Sequence, residues 1–294
     1  AEHFRNQDGK TGGMMRLRRS RSNDRGAELR QILGGVELPA IPELVTAAIE
    51  QVSAPDCDLG EVAKTVGLDP GISARLLSVV NSAAYAPRNP IVGVRQAVTM
   101  FGKNRLESML ISLAVSHAVA TAPVPGLDMT QFWKIAAWRA SAATTLSRRV
   151  DRARSSMNFS AALLENVAVP LLITHMPRYR PIHDAWKSGD GELEDLEQRA
   201  FGWTHLDVAG WLFDEWGFPR ALRDAITEVG RPEDDHVEYP VVRVVSSLSA
   251  PRPQSQVIEE TAERINVVFG LTIDESVELL TSARIDGASL ARYL

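Results

Sequence analysis

One run of nearly uninterrupted apolar side chains, residues 159–173 (FSAALLENVAVPLLI), most strongly constrains how this chain can fold. A segment that is apolar on all sides predicts a helix buried inside a larger protein. Glu165 and Asn166 interrupt the run, and burying such polar groups costs free energy unless partners satisfy them. Pro170 has no amide proton, so we expect the helix to kink or end near it. The polar pair is therefore a structural device, a working site or the remnant of one.

Helix signals dominate from residue 38 onwards, and no period-two pattern typical of strands persists. Asp58, Thr204 and Thr272 each precede an apolar-periodic segment, as N-cap residues do. The predicted fold class is all-α, a multi-helix bundle with short loops. A polar loop is expected between Pro181 and residue 192. The predicted helices cover residues 43–52, 62–66, 71–82, 94–101 (ended by Gly102), 103–120, 128 or 130 to 150, 192–201, 204–216, 239–248, 256–269 and 273–283.

The two ends of the chain differ from its middle. Residues 1–35 contain eight Lys/Arg and four Asp/Glu, with many Gly, Ser and Asn, which predicts a disordered basic tail over about residues 1–30. Residues 31–250 are expected to form the main domain, and residues 251–294 to form C-terminal helices. Those helices either dock on the bundle or make an interaction arm. Met14–Met15 is a plausible native start, which would leave residues 1–13 as an addition.

Composition excludes several classes of function. The net charge of −5 does not favour nucleic acid or an anionic membrane as a partner. A single cysteine, Cys57, excludes an intrachain disulfide and a cysteine-based zinc site, and it suits a reducing cytosol, so a cytoplasmic location is expected. No apolar run was found to reach the roughly 18 residues of a membrane span. No phosphate-binding loop, dinucleotide-binding motif or nucleophile elbow is present, so no cofactor is expected.

The segment from Asp58 to Ser82 resembles a helix-turn-helix, with Asp69 at the start of its second helix. A recognition helix needs exposed groups that read bases and phosphates, and Arg75 is the only charged candidate on that helix. We therefore favour a packed helical hairpin, and nucleic acid is not expected as a partner. The basic tail remains an alternative route to phosphate groups.

The histidines give little sign of metal chemistry. His205 lies on an apolar helix stripe and is expected to face inward, where a hydrogen-bonded core residue is the common case. His117 has no second ligand one turn away, and His175 and His183 flank a proline-containing loop. A hydrolytic metal site needs several His/Asp ligands that converge from different helices. No metal site is therefore predicted.

Several stretches together resemble the HDOD domain, the HD-related output domain of bacterial signalling proteins. The resemblance extends in order and spacing over about residues 35–250, and the Asn81–Ser82 pair and the run from His205 to Trp216-Gly-Phe-Pro are its most specific parts. The stretches are LPAIPELVTAAIEQV (38–52), DPGISARLLSVVNSAAY (69–85), IVGVRQAVTMFGKNRLESML (91–110), FW…A (132–140), ALLENVAVPLL (162–172), HLDVAGWLFDEWGFP (205–219) and VVRVVSSLS (241–249).

The resemblance implies a scaffold similar to the HD-type phosphohydrolases, with an N-terminal bundle over about residues 36–120 and an HD-like bundle over about 128–250. Where that fold carries its first metal-binding histidine, this chain has Ile135, and Glu165–Asn166 replaces the His-Asp dyad. About Val229–Gly230 replaces a histidine pair, and only His205 remains at a matching position. A single imidazole does not hold a divalent ion well, so the resemblance implies a degenerate metal site and no enzyme activity. We expect Glu165 and Asn166 to fill the vacated cavity and to hydrogen-bond to neighbours such as His205.

The same resemblance implies a non-catalytic regulatory module in two-component or cyclic-di-GMP-linked signalling. Its expected partners are kinases, response regulators or cyclic-di-GMP enzymes, and a small nucleotide in the vacated cavity is a further option. The expected interaction groove lies between the two bundles, with Asn81, Ser82, Tyr85 and Trp216 as its candidate residues, although Asn81 would also suit a helix C-cap. One alternative is a divergent metal-dependent phosphohydrolase that uses His205, His175 or Glu165. Another is a nucleotide or nucleic-acid binder that uses the basic tail.

Overall fold

A computed structural model describes residues 40–81, 87–119, 123–230 and 237–294 of the chain. Within these ranges the backbone forms α-helices and short 3₁₀ turns, with no strand, which confirms the predicted all-α fold class. Local sequence signals explain many helix starts. Asp58 Oδ1 accepts a hydrogen bond from the amide of Gly60 at 2.7 Å, and Asp69 Oδ1 accepts one from Ile72 at 3.0 Å. Thr204 and Thr272 both form capping boxes.

The first bundle packs three short helices around one long one. The long helix is interrupted at Gly102, whose backbone adopts φ 68° and ψ 171°, so the predicted stop at this glycine is confirmed. The second helix of the candidate DNA-binding hairpin buries Ile72 and Leu76, so its apolar face is a packing face. The helices are α1 (Glu43–Ser53), α2 (Leu59–Gly67), α3 (Pro70–Val80) and α4 (Val94–Val119).

The second bundle surrounds the apolar run that constrains the sequence. The segment predicted as a polar loop after Pro181 is instead helical as far as Lys187, and its His183 faces inward and is only 2% exposed. The helices are α5 (Met129–Val150), α6 (Ser155–Leu164), α7 (Ala168–His175), α8 (Arg180–Lys187), α9 (Leu193–Phe201), α10 (His205–Glu215), α11 (Arg220–Thr227) and α12 (Pro240–Ser246), with 3₁₀ turns at Arg152–Arg154, Pro177–Tyr179 and Ser247–Ser249.

The apolar run is two helices and not one. Helix α6 ends at Leu164 and α7 begins at Ala168, so the break falls three residues before the predicted position at Pro170. Pro170 occupies the third position of α7, where the amide has no partner within the helix and its loss costs little. The expected helix end near Pro170 is therefore present, but it lies before Pro170, which itself belongs to the first turn of α7. The break places Glu165 and Asn166 at a helix junction, where their side chains can reach several neighbouring elements.

The two bundles meet along helices α4 and α6. The hydroxyls of Ser112 and Ser160 lie 3.2 Å apart, and both donate to the carbonyl oxygen of Ser108. Ser112 and Ser160 are fully buried, and their small side chains let the two helices approach closely.

The C-terminal helices α13 (Gln254–Phe269) and α14 (Ile273–Leu290) dock on the second bundle. The indole nitrogen of Trp138 donates to the carbonyl of Leu280 at 2.9 Å, and a Cβ at Gly287 would lie 2.7 Å from the Trp138 backbone. Of the two alternatives for residues 251–294, the structure has the docked one. The shared core includes Trp138, Leu146, Val245, Val257, Ile265, Leu279 and Leu280.

The segment Arg152–His175 has the length and composition of a membrane span, with a mean hydropathy of 1.4 in its most apolar window. The expectation that no run would meet this criterion is therefore wrong. However, 78% of that window is buried within the described part of the chain, as expected for helices in a protein core.

Candidate functional site

A buried ion pair lies at the centre of the second bundle. Arg139 projects from α5 with a side chain that is 1% exposed, and its Nη1 lies 3.3 Å from Oε1 of Glu165, which is 2% exposed. The guanidinium also donates from Nε to the carbonyl of Ala162 at 3.0 Å and from Nη1 to the hydroxyl of Ser249. The second carboxylate oxygen of Glu165 is buried without a hydrogen-bond partner. This pair joins α5, the α6–α7 junction and the turn after α12.

A second buried group surrounds His205 at the start of α10. Its Nδ1 lies 2.8 Å from Oε2 of Glu197, which also accepts the backbone amide of His205 at 2.9 Å. The other oxygen of Glu197 accepts the hydroxyl of Tyr179. All three side chains are at most 1% exposed. The capping box at Thr204 fixes the first turn of α10 and so aims His205 inward, as its apolar stripe predicted.

Asn166 connects the two groups. Its Oδ1 lies 3.1 Å from Nε2 of His205, and its Nδ2 donates to the hydroxyl of Ser249 at 3.4 Å. The expected contact between Asn166 and His205 is therefore present, whereas Glu165 pairs with Arg139. We call the connected set the buried polar network. Its members are Arg139, Glu165, Asn166, Tyr179, Glu197, His205 and Ser249.

The network shifts the pKa values of its members. Burial acts to lower the pKa of His205, but the charge and hydrogen bond of Glu197 outweigh burial and raise the pKa to about 9. Burial raises the pKa of the Glu165 carboxyl to about 7, against the opposing charge of Arg139. Burial and Glu197 together raise the pKa of Tyr179 well above its ordinary value. At neutral pH the His205 ring is therefore protonated, and both of its nitrogens donate hydrogen bonds.

These side chains do not suit a divalent metal. A histidine binds metal through a neutral ring with a free lone pair, whereas both nitrogens of His205 are engaged as donors. The carboxylate of Glu165 faces an arginine. In the described ranges no group of three or more His, Cys, Asp or Glu side chains is arranged to hold an ion. The absence of a metal remains a prediction, and the donor set is its physical basis.

The other predicted site residues have mixed positions. Ile135 is partly buried one turn before Arg139 on α5, and Gly230 lies so close to Leu206 that a Cβ there would be 2.9 Å from Leu206 Cδ1. Trp216 is half-buried in an aromatic group, with ring centroids 6.1 Å from Phe213 and 5.7 Å from Phe218.

The side chain of Asn81 joins the end of α3 to the segment before α4. Its side chain donates to the carbonyls of Leu77 and Ile91 at 2.8 and 2.7 Å, and it accepts the amide of Ile91 at 2.7 Å. Asn81 therefore caps the helix and ties it to the chain before α4. Ser82 and Tyr85 lie outside the described residues, so the groove with its four candidate residues stays a prediction.

Sequence reasoning missed Arg139, Glu197 and Ser249. Charged side chains are rarely buried completely, so a sequence pattern gives no reason to single out Arg139 or Glu197 as core residues. A weak signal existed for Arg139, because a lone carboxylate in the apolar run needs a cation and Arg139 follows Trp138 on a face rich in alanine. Glu197 similarly lies one turn after Leu193, on the apolar face of α9.

The fold and the position of this network define an all-helical domain with a buried polar centre. The HDOD domain family model matches residues 38–232, and the chain belongs to the HDOD family. No curated protein matches the chain.

Solved structures share the fold. An HDOD domain protein of unknown function from Geobacter sulfurreducens matches with a TM-score of 0.72 and 20% identity, over 92% of this chain and 99% of its own. A protein of Shewanella amazonensis SB2B, named as a candidate phosphohydrolase, matches with a TM-score of 0.73 and 20% identity, over 90% and 97%. A candidate signal transduction protein from Marinobacter aquaeolei VT8 matches with a TM-score of 0.66 and 22% identity, over 90% and 61%. At this identity the similarity shows the fold alone.

Proposed function

We propose that this chain is a non-catalytic regulatory module that acts by binding another signalling protein. The proposal rests on one observation: the side chains of the buried polar network are hydrogen-bonded or ion-paired with one another. His205 has both ring nitrogens engaged, Asn166 uses its amide oxygen and nitrogen, and Glu165 is paired with Arg139. An HD-type hydrolase needs the same position to offer free lone pairs to a metal and to water.

The proposed partners are kinases, response regulators or enzymes of cyclic-di-GMP turnover. Membership of the HDOD family supports a signalling role, and the Marinobacter neighbour is named as a candidate signal transduction protein. We place the module in the cytoplasm, since its only cysteine, Cys57, is free. The working surface would be the exterior of the two bundles, because the charged side chains of the network are at most 2% exposed.

The rival function is a divergent metal-dependent phosphohydrolase. Such an enzyme would depend on His205, the one residue that matches a metal-binding position of the HD scaffold. A regulatory module would depend on His205 only for stability, since the side chain is 1% exposed and touches no surface. The two functions therefore predict opposite outcomes for one conservative substitution.

The test is His205→Gln, since glutamine keeps hydrogen-bonding capacity to both Glu197 and Asn166. In the cell of origin, the wild-type chain is first used to capture and identify a partner, whose binding is then measured with purified components. We expect His205→Gln, once shown to be folded by circular dichroism, to bind that partner with unchanged affinity and to restore the phenotype of a deletion strain. Loss of the phenotype by a folded variant, together with turnover of a phosphodiester by the wild type alone, would contradict the proposal.

A further inference from the structure

A narrow cleft opens on the surface where α4, α5 and α6 meet, and it lies between the first and second bundles. We call it the arginine cleft. Polar side chains from all three helices line it: Arg105 and Ser108 from α4, Thr144 and Arg148 from α5, and Ser155 and Ser156 from α6. It uses different residues from the predicted groove.

The polar groups of the arginine cleft are largely free. Arg105 and Arg148 are exposed, and neither guanidinium has an ion pair or hydrogen bond within the described part of the chain. The hydroxyls of Ser108, Ser155 and Ser156 also have no hydrogen-bond partner there. This differs from the neighbouring Arg149, which points elsewhere and lies 3.8 Å from Glu275.

No carboxylate lines the cleft, so the two positive charges are not neutralised by the wall that carries them. An anion in the cleft would therefore meet two positive charges without competition from a neighbouring carboxylate. In a chain with a net charge of −5, such a local excess of positive charge is a specific feature rather than a consequence of overall composition.

We propose that the arginine cleft binds a phosphate group. Each guanidinium presents paired N–H donors that match two oxygens of a phosphate, and the three serine hydroxyls add donors that rotate to suit. A carboxylate has only two oxygens and would leave part of this donor set unused. A phosphate monoester has three terminal oxygens and satisfies more of it. Bound phosphate would link α4 of the first bundle to α5 and α6 of the second.

The phosphate group can belong to a free metabolite or to a phosphorylated side chain of a partner. The experiment is isothermal titration calorimetry on the whole chain at low ionic strength, with inorganic phosphate, adenosine monophosphate and a phosphoserine peptide as separate probes. We expect at least one probe to bind saturably. Preference for the nucleotide identifies a metabolite site, preference for the peptide identifies a partner site, and each supports the proposal.

The variants are Arg105→Gln and Arg148→Gln, with Arg149→Gln as the matched control of equal charge change. We expect each cleft variant to weaken binding of the best probe by at least about tenfold, because each removes a charge-assisted pair of hydrogen bonds. The control should stay within about twofold, as expected for a nearby exposed charge. All three residues are exposed, so the fold should persist.

The proposal is overturned if no probe binds, or if Arg149→Gln weakens binding as much as the cleft variants do. It does not depend on the proposed regulatory function, since phosphate titration requires no partner protein. Failure of either one leaves the other intact.

Discussion

The buried polar network and the arginine cleft contain similar side chains but use them differently. In the network, Arg139 is paired with Glu165, and His205 is held between Glu197 and Asn166. All of these side chains are at most 2% exposed except that of Asn166, which is partly buried. In the cleft, Arg105 and Arg148 are exposed and have no partner within the described residues. Polar groups that are buried and paired stabilise the fold. Polar groups that are exposed and unpaired remain available to bind a ligand.

The largest expected effect comes from breaking the buried ion pair. Glu165→Ala leaves the permanently charged Arg139 buried without its counter-ion, so the free energy of unfolding should fall by about 3 kcal/mol. Urea denaturation followed by circular dichroism measures it. The double variant Arg139→Met/Glu165→Leu removes both charges and should cost clearly less than the single substitution. A single-variant change near zero would show that Glu165 is not paired as described.

The next effect concerns the pH dependence of stability, to which the raised pKa values of His205 and Glu165 contribute in the same direction. The pKa of His205 is about 9 in the folded chain, against about 6.5 when unperturbed. The protonated ring therefore stabilises the fold fully below pH 6.5, and this contribution is lost as the pH rises through 9. The free energy of unfolding of the wild type should decrease between pH 7 and 9.

Glu197→Gln removes the charge that raises the pKa of His205. The variant should be less stable by about 2 kcal/mol at pH 7, and its stability should change less between pH 7 and 9. The His205 ring, followed by nuclear magnetic resonance, should titrate at a lower pH than in the wild type. An unchanged pKa for His205 in this variant would contradict the assigned pairing.

A smaller effect on stability is expected outside both regions, at the hydrogen bonds that Asn81 makes. Asn81→Ala loses the hydrogen bonds to Leu77 and Ile91, and it should lower the free energy of unfolding by about 1 kcal/mol. Asn104→Ala is the matched control, since Asn104 is exposed on α4 and should change stability by less than about 0.5 kcal/mol. A loss of partner binding by Asn81→Ala without loss of stability would instead favour the predicted interaction groove.

The smallest expected effect on stability concerns Arg148 in the arginine cleft. Arg148→Gln removes an exposed, unpaired charge, so the free energy of unfolding should stay within about 0.5 kcal/mol of the wild type. The same denaturation experiment that measures Glu165→Ala serves here. A large loss of stability would mean that Arg148 has a structural partner and that the cleft is not free.

The helices could be predicted largely from local signals. The capping residues Asp58, Thr204 and Thr272 and the stop at Gly102 acted as expected, because these effects depend on a few neighbouring residues. The helix break near Pro170 was expected, but its exact position was not. A proline breaks a helix interior but fits its first turn, and the sequence alone did not show that a new helix begins at Ala168.

The site was predicted only in part. The inward position of His205 and its contact with Asn166 followed from helix periodicity and from family resemblance. The partners Arg139 and Glu197 come from helices distant in sequence, and their burial depends on tertiary packing that local patterns do not encode. A rule that each buried charge needs a counter-charge indicates that a partner exists, but it does not say which residue provides it.

The central claim is that His205 and its neighbours do not bind a divalent metal. The most direct test is a calorimetric titration of the untagged chain with Mn²⁺ and Zn²⁺ at pH 7. The account predicts no saturable site that depends on His205, because the protonated ring has no lone pair to offer and its neighbours are engaged with one another. A one-to-one metal site in the wild type that is lost in His205→Gln would contradict this account. It would instead support the alternative of a metal-dependent phosphohydrolase.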